Sequence, residues 1–364
     1  MKLSLAVRFV GIGAVAAIGI AGCGSNSNGG SSSGGSSNNA AGCASGSISG
    51  QGSTFQQAME QQWSSDFANK CSGAQVTYTG VGSGAGIEQF GLGKSDFAGS
   101  DVTMISSEQS AADKACGSPA IHVPVTAGGV AIIYNLNGVK NLQLSADVLA
   151  KIFTGKIKTW NDPAIKAENA GVNLPSQAIV VYHREDDSGT TAVLTGFLDT
   201  VAHSDWPNGA GKESTRITVG QKATGSDGVT AGVKQTAGGI TYAEVSYAAQ
   251  NSLPTAKVKG VGSYTALTGD TVSSALASGF SITGSGNNLT GTLDFKKMTS
   301  GYPISTVSYA IVCSKYNDAS KGSLVKDYFD YALTDGQNSA DQLGFAPLPS
   351  DLLSKAKAAI DTVS

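Results

Sequence analysis

The chain has 364 residues, with 24 Lys and Arg against 27 Asp and Glu, a formal charge of −3 and a pI near 5.6. That balance excludes a nucleic-acid partner, whose phosphates require a basic face. Any anion bound here must be held by local geometry, because the overall charge opposes it.

Lys2 and Arg8 lead into an apolar stretch from Phe9 to Ala21 that ends at Ile20-Ala21-Gly22-Cys23. The stretch is too short to remain as a membrane span and reads as an export signal covering residues 1–22. A small-residue pair directly before a cysteine resembles the bacterial lipobox, in which Cys23 becomes the lipidated first residue of the mature protein. Residues 24–42 are almost entirely Gly, Ser, Asn and Ala, which cannot bury enough apolar surface to offset ordering entropy. Residues 23–47 are therefore assigned as a lipid anchor and flexible tether that hold a globular body at the outer face of the cell membrane.

Beyond the tether, short β-rich runs alternate with helical patterns, the signature of α/β architecture with mostly parallel sheets. Ser47 to Gly50 is a strand, and Ser53-Thr54-Phe55 opens a helix through about Asn69. Gln75 to Tyr78 is the next strand, Ser83-Gly84-Ala85-Gly86 opens a second helix through about Phe90, and Asp96 to Ser100 is a third strand ending at Asp101. Each strand end carries small polar residues, and ligands of open α/β sheets bind outside such ends. Val123 to Tyr134 is a long apolar run suited to a strand leaving one domain for another. Residues from about 140 to 300 form a second α/β unit. Pro303 to Val312 returns to the first domain, with a helix from Lys321 to Leu333 packed on it. The two crossings make a two-segment hinge, with one lobe at 48–132 and 305–364 and the other at 133–304. The Gly-, Ser- and Thr-rich segment 261–301 reads as a short helix plus loops in the second lobe.

Of five cysteines, Cys43, Cys71, Cys116 and Cys313 remain once Cys23 is lipidated. An even number in an oxidising compartment implies two disulfides. Three connectivities exist, and the topology above favours Cys71 with Cys116 and Cys43 with Cys313. No C-x-x-C pair or neighbouring histidine suggests a metal.

The densest chemistry lies in His183-Arg184-Glu185-Asp186-Asp187-Ser188-Gly189-Thr190-Thr191, between an apolar strand and a helix-like run. Hydroxyls and free backbone N–H groups at a helix N-terminus point toward negative charge, glycine permits close approach, and an arginine fork can close the cage. Competing motifs fail on spacing. Gly91-Leu92-Gly93-Lys94-Ser95 has Glu88 where a phosphate-binding P-loop needs glycine, and its Lys precedes a strand. Neither Gly82-Ser83-Gly84 nor Asp187-Ser188-Gly189 has the G-x-S-x-G frame of a serine hydrolase. His183 adjoins Arg184 on a strand and so points to the opposite face.

Six segments occur in an order that resembles one known family: Gly52 to Phe55, Gly82 to Ile87, Asp96 to Asp101, Ile152 to Ile165, Arg184 to Thr190, and Gly239 to Tyr242. They match the phosphate-binding proteins of Pst-type ABC importers over nearly all of residues 48–364, and the cysteine pattern looks closest to actinobacterial members. The resemblance implies a two-lobed periplasmic-binding-protein fold of type II, a monomer with no cofactor and no catalytic residue, whose partners are inorganic phosphate and the membrane permease subunits of the importer. It further implies that Thr54, Phe55, Ser83, Arg184, Ser188, Gly189 and Thr190 donate to phosphate, that Asp101 accepts a proton from it, and that Asp186 braces Arg184. Two positions depart from the family pattern: Gln56 follows Phe55 where proline is common, and Asp187 replaces a frequent glycine, so its side chain is expected to face solvent. The alternatives are a receptor for another tetrahedral oxyanion, sulfate or molybdate, and a secreted phosphatase.

Overall fold

The structure is a computed structural model and describes residues 42–364; the export signal, Cys23 and the tether through residue 41 lie outside the described residues. The first lobe begins with β1 (Gly46–Gly52), α1 (Gln57–Lys70), β2 (Ala74–Gly80), α2 (Ser83–Gly91), β3 (Phe97–Ser100) and α3 (Ser106–Cys116). Strand β4 (Ala120–Tyr134) carries the chain across. The second lobe contains β5 (Gln143–Ser145), α4 (Ala146–Phe153), α5 (Pro163–Glu168), β6 (Val180–Arg184), α6 (Gly189–Val201), β7 (Gln221–Ala223), α7 (Gly225–Gln235), β8 (Gly239–Glu244), α8 (Val245–Asn251) and β9 (Lys257–Lys259). Helix α9 (Gly269–Gly279) and the strands β10 (Phe280–Ile282) and β11 (Gly291–Leu293) lead to the return strand β12 (Ser305–Cys313). Helices α10 (Ala319–Ala332), α11 (Ala340–Leu343) and α12 (Ser350–Asp361) complete the chain.

Eight strands form one curled sheet in the order β2-β1-β3-β12-β4-β8-β6-β7. Strand β1 is parallel to β2 and β3, and β6 is parallel to β7 and β8. The expected parallel character therefore holds within each lobe. The central strands run antiparallel, because a chain that crosses out on β4 and back on β12 reverses direction between neighbours. Strand β4 pairs with β12 as far as Gly129 and with β8 from Val130 onward. Val130 N donates to Ile304 O at 2.8 Å, so the outgoing and returning crossings lie side by side. Every residue of β4 and of β12 is buried. Their sequences accordingly are free of charged residues and lack regular apolar–polar alternation, as expected of strands covered on both faces.

The segment 261–301 is more ordered than the expected helix and loops. It forms α9 and the antiparallel β10–β11 pair, and Asn288 Oδ1 accepts from His122 N at 2.9 Å while Leu289 N donates to His122 O at 2.9 Å. It thus ties itself to the part of β4 that pairs with β12.

Both disulfides differ from the expected pairing. Cys43 is bonded to Cys71, and Cys116 to Cys313. Sheet register explains this. Gly46 of β1 lies opposite Ala74 of β2, so Cys43 and Cys71, each three residues earlier, enter the sheet together. Cys313 is opposite Ala120, just after the end of α3 at Cys116. Residues 43–47, assigned from sequence to the tether, thereby belong to the body.

The two bridges span 28 and 197 residues, for which chain entropy gives stabilisations of roughly 3.5 and 5 kcal/mol. Replacing Cys116 and Cys313 with alanine should therefore lower the urea-unfolding free energy by about 1–2 kcal/mol more than replacing Cys43 and Cys71. A larger loss from the short-loop pair would contradict this.

Candidate functional site

In the first lobe the turns after β1, β2 and β3 converge. Ser53 Oγ lies 2.8 and 2.7 Å from the two carboxyl oxygens of Asp101 and accepts from Phe55 N at 3.0 Å. Ser83, the first residue of α2, accepts from Asp101 N through its hydroxyl at 3.3 Å. Ser308, from the middle of β12, donates to Asp101 Oδ1 at 2.6 Å. Asp101 is 4% exposed. Burial pushes its carboxyl above the usual carboxylate range, and the Ser308 and Ser53 hydroxyls and the Arg184 charge offset this only in part.

The second lobe supplies the positive charge. Arg184 ends β6 at 1% exposure. Its Nε donates to Asp186 Oδ1 at 2.8 Å, and its Nη2 to Asp186 Oδ2. Its Nη1 reaches Thr54 Oγ1 of the first lobe at 3.0 Å and Ser226 Oγ at 3.3 Å. Asp186 also accepts from Gly225 N at 3.0 Å. Burial raises the Asp186 carboxyl, but the Arg184 bonds and charge outweigh it, leaving the group below its ordinary pKa.

Helix α6 is capped by Ser188. Ser188 Oγ accepts from Thr191 N at 3.2 Å, so Gly189 and Thr190 occupy the first turn. N–H groups at this position lack intrahelical partners and carry the positive end of the helix dipole. The Thr190 hydroxyl is buried with no well-formed hydrogen bond of its own and faces the Asp101 carboxyl, whose charged form it favours. Tyr242 Oη receives Arg184 N at 3.3 Å and lies 2.7 Å from Thr191 Oγ1, fixing the β6 end against α6.

The lobes touch at this point. Gly84 N donates to Asp187 O at 3.0 Å, Tyr247 Oη donates to Thr54 O at 2.8 Å, and Lys212 pairs with Glu108. A β-carbon at Gly189 would lie 2.5 Å from Ser83 Oγ and 2.7 Å from Asp101 Oδ2, so only glycine admits this approach.

Thr54, Ser83, Asp101, Arg184, Asp186, Ser188, Gly189 and Thr190 are thus assembled in one place. Phe55 is adjacent, with its N–H on Ser53 and its ring buried edge-on against Phe345. The side chain of Asp187 is exposed. His183 is buried with its ring at Arg184 O, 3.1 Å away, while His122 bonds Asn288 and the exposed His203 meets Asp199. Among the described residues no group of His, Cys, Asp or Glu could hold a metal ion.

Ser53, Ser226, Ser308, Tyr242 and Tyr247 were not singled out from sequence. Ser226 had a signal, since Thr224-Gly225-Ser226 repeats the strand, glycine, serine, helix pattern of Gly82-Ser83. Ser308 had none, being one of three small hydroxyl residues, with Ser305 and Thr306, in a buried strand.

Helix N-termini, hydroxyls and one buried cation from two lobes, with one carboxyl paired to that cation and a second, Asp101, held by hydroxyls, define a two-lobed binding protein for a small oxyanion. A family model described as a PBP superfamily domain matches residues 37–336. Phosphate-binding protein PstS 3 of Mycobacterium leprae is 38% identical over 372 residues, covering 100% of both chains. Phosphate-binding protein PstS of Xylella fastidiosa is 32% identical over 85% of this chain and 84% of its own. Among solved structures, a high-affinity periplasmic phosphate-binding protein bound with phosphate (PfluDING) superposes with a TM-score of 0.68 at 25% identity, over 86% of this chain and 93% of that one. The chain belongs to the PstS phosphate-binding proteins of the PBP superfamily.

Gly189→Ala should keep the lobes from reaching the observed contact. Amide exchange at Gly84, whose N–H bonds Asp187 O, should accelerate by at least about tenfold while β4 amides keep their protection. Unchanged protection at Gly84 would sink the steric reading.

Proposed function

We propose that this chain captures inorganic phosphate in the cleft between its lobes, outside the cytoplasm, and delivers it to the permease of an ABC importer. The observation that carries the reading is Asp101, a buried carboxyl placed among groups that otherwise all serve an anion. Phosphate at neutral pH still carries a proton and can donate it to a carboxylate; sulfate has none to give. Asp101 is therefore a selectivity element, repelling fully ionised oxyanions by several kcal/mol.

The proposed donors are Thr54, Ser83, Ser188, the Gly189 and Thr190 backbone groups, the Phe55 N–H that now rests on Ser53, and the Nη1 edge of Arg184 that now rests on Thr54 and Ser226, with Asp186 keeping the guanidinium in its plane. Ser226, beside Thr54 and Arg184, extends the set. Burying a multivalent anion costs tens of kcal/mol unless its hydration is replaced almost completely. Bonds to charged groups contribute roughly 1.5–3 kcal/mol each, so about ten of them, less the entropy of closure, leave micromolar or tighter binding. Lobes at 48–132 and 305–364 and at 133–304 hinge about the two crossings, and only the closed form presents both in one register to the permease.

The chain acts as a receptor and not as an enzyme: its hydroxyls sit at helix starts as donors, and the three histidines are engaged elsewhere. Steady turnover of a phosphomonoester with divalent metal would exclude this. No helix among the described residues is long and apolar enough to cross a membrane, and the proposed attachment is the lipid on Cys23. Cys23→Ala should move the protein from the membrane fraction to the medium; retention in the membrane would refute the anchor.

Calorimetric titration of phosphate-stripped protein should show tight phosphate binding and little sulfate binding. Asp101→Asn should narrow that gap by at least about tenfold, and Arg184→Met should weaken phosphate by at least about a hundredfold. Because Asp101 must be ionised to accept a proton, and its pKa is raised, parental affinity should fall as pH drops through that pKa. An Asp101→Asn variant as selective as the parent would overturn the assigned role.

A further inference from the structure

A chain of buried polar groups runs from Asp101 away from the cleft, through a part of the first lobe that direct ligand contact does not use. Ser308 Oγ lies 2.6 Å from Asp101 Oδ1, 2.8 Å from Gln56 Oε1 and 3.3 Å from Ser100 O. Gln56 Nε2 lies 3.4 Å from both Glu60 Oε1 and Tyr78 Oη, and Glu60 Oε2 accepts from Tyr328 Oη at 2.7 Å. Ser308, Gln56 and Glu60 are each 0% exposed. Glycine at position 99 makes the room, since a β-carbon there would lie 2.0 Å from Gln56 Nε2.

A count of hydrogens restricts what this chain can do. A hydroxyl carries one, yet three oxygens surround Ser308 Oγ as acceptors. Tyr78 commits its own hydrogen to Ser53 O at 2.9 Å. If Asp101 is protonated, it donates to Ser308, and Ser308 donates to Gln56 Oε1. If Asp101 is ionised, Ser308 must donate to it, and Gln56 Oε1 then faces no donor. The amide removes the conflict at Ser308 by turning over, since its two ends fill the same volume, and gives up only the long Nε2 contact to Tyr78 Oη. Nε2 then donates to Ser308 Oγ, and Oε1 accepts from Glu60. Glu60 can donate only as the neutral acid. Burial, opposed by the Tyr328 bond, pushes its carboxyl up to about 8, which favours the neutral acid.

We propose that Ser308 and Gln56 are positioning residues for anion recognition, forming with Glu60 a reversible hydrogen-bond relay that holds Asp101 ionised and favours a ligand bringing its own proton. The inference rests on the phosphate reading. Besides the relay, the titratable and charged groups acting on Asp101 are Arg184 from β6, Tyr78 from β2 and Tyr247 from α8. Glu60 faces Tyr78 and Tyr328. Among these, Arg184 alone supplies positive charge, and it lies on the cleft side. On the far side the carboxylate depends on the Ser308 hydrogen, which the reversed Gln56 amide keeps directed at it.

The test is a carbon-13 carboxyl titration of Asp101 in the full chain without ligand, paired with calorimetric phosphate titrations across the same pH range. Ser308→Ala and Gln56→Met should each raise the Asp101 midpoint by about one pH unit, the roughly tenfold effect of one hydrogen bond to a charged group. The acid limb of phosphate affinity in Ser308→Ala should move up by the same amount. Glu60→Gln, whose amide donates as the neutral acid does, should leave the midpoint within a few tenths of a unit. Unmoved midpoints in Ser308→Ala and Gln56→Met would overturn the relay, as would a Glu60→Gln shift equal to that of Gln56→Met. If Gln56→Met does not fold, Ser308→Ala decides, because it deletes a single oxygen. Failure of the parent to bind phosphate would defeat the functional reading, while the ligand-free titration would still judge the relay.

Discussion

A guanidinium buried to 1% exposure is the constraint around which the cleft is arranged. Arg184 cannot shed its proton, so its charge has to be met where it lies. Asp186 covers one edge of the fork, and the other edge is left to Thr54 and Ser226. Asp186 is itself fixed by the Gly225 N–H at the start of α7. The end of β6, the first turn of α7 and the turn after β1 are therefore set relative to one cation. Removing one member of such a buried pair leaves an uncompensated charge, which costs about 3–5 kcal/mol. The pairing serves position more than stability.

Topology brings the remaining groups to that cation. In both lobes the parallel strands end on the same side, and each following helix starts there. The N-termini of α1, α2, α6 and α7 consequently carry Thr54, Ser83, Ser188 and Ser226 toward one place. Each terminus has free N–H groups and a fraction of positive charge. The two central antiparallel strands keep the lobes within one sheet, and their crossings at Val130 and Ile304 are hydrogen-bonded neighbours.

The parts legible in the sequence were those with a local cause. A glycine and a small hydroxyl between strand and helix specify a helix N-terminus, so Ser83 and Ser188 could be placed from neighbouring residues alone. The apolar runs of β4 and β12 announced buried strands. Disulfide pairing was not local: Cys43 meets Cys71 because β1 and β2 enter the sheet in register, and register depends on partners that sequence does not name. Ser308 was illegible for the same reason, as its hydroxyl acquires meaning only from Asp101, 207 residues away. In segment 261–301 the helix was legible, but the β10–β11 pair was missed because its Gly, Ser and Thr content suggests loops. Its strands are held by pairing with each other and by bonds to His122.

An acidic protein that binds an anion has to separate attraction from selection. Long-range attraction would come from net charge, which is −3 here and works against it. Attraction is instead confined to groups a few ångströms from the ligand, where low dielectric strengthens each hydrogen bond and salt screens it little. Those donors respond to negative charge without regard to its source, and would serve any tetrahedral oxyanion of the right size. Selection needs an acceptor, and an acceptor among donors is repulsive unless the ligand supplies a hydrogen. Asp101 can fill that role only if it stays ionised despite burial, which demands donors of its own from Ser53 and Ser308. In the proposed reading its hydroxyl shell thus carries the specificity of the cleft, while Arg184 and the helix termini carry the affinity.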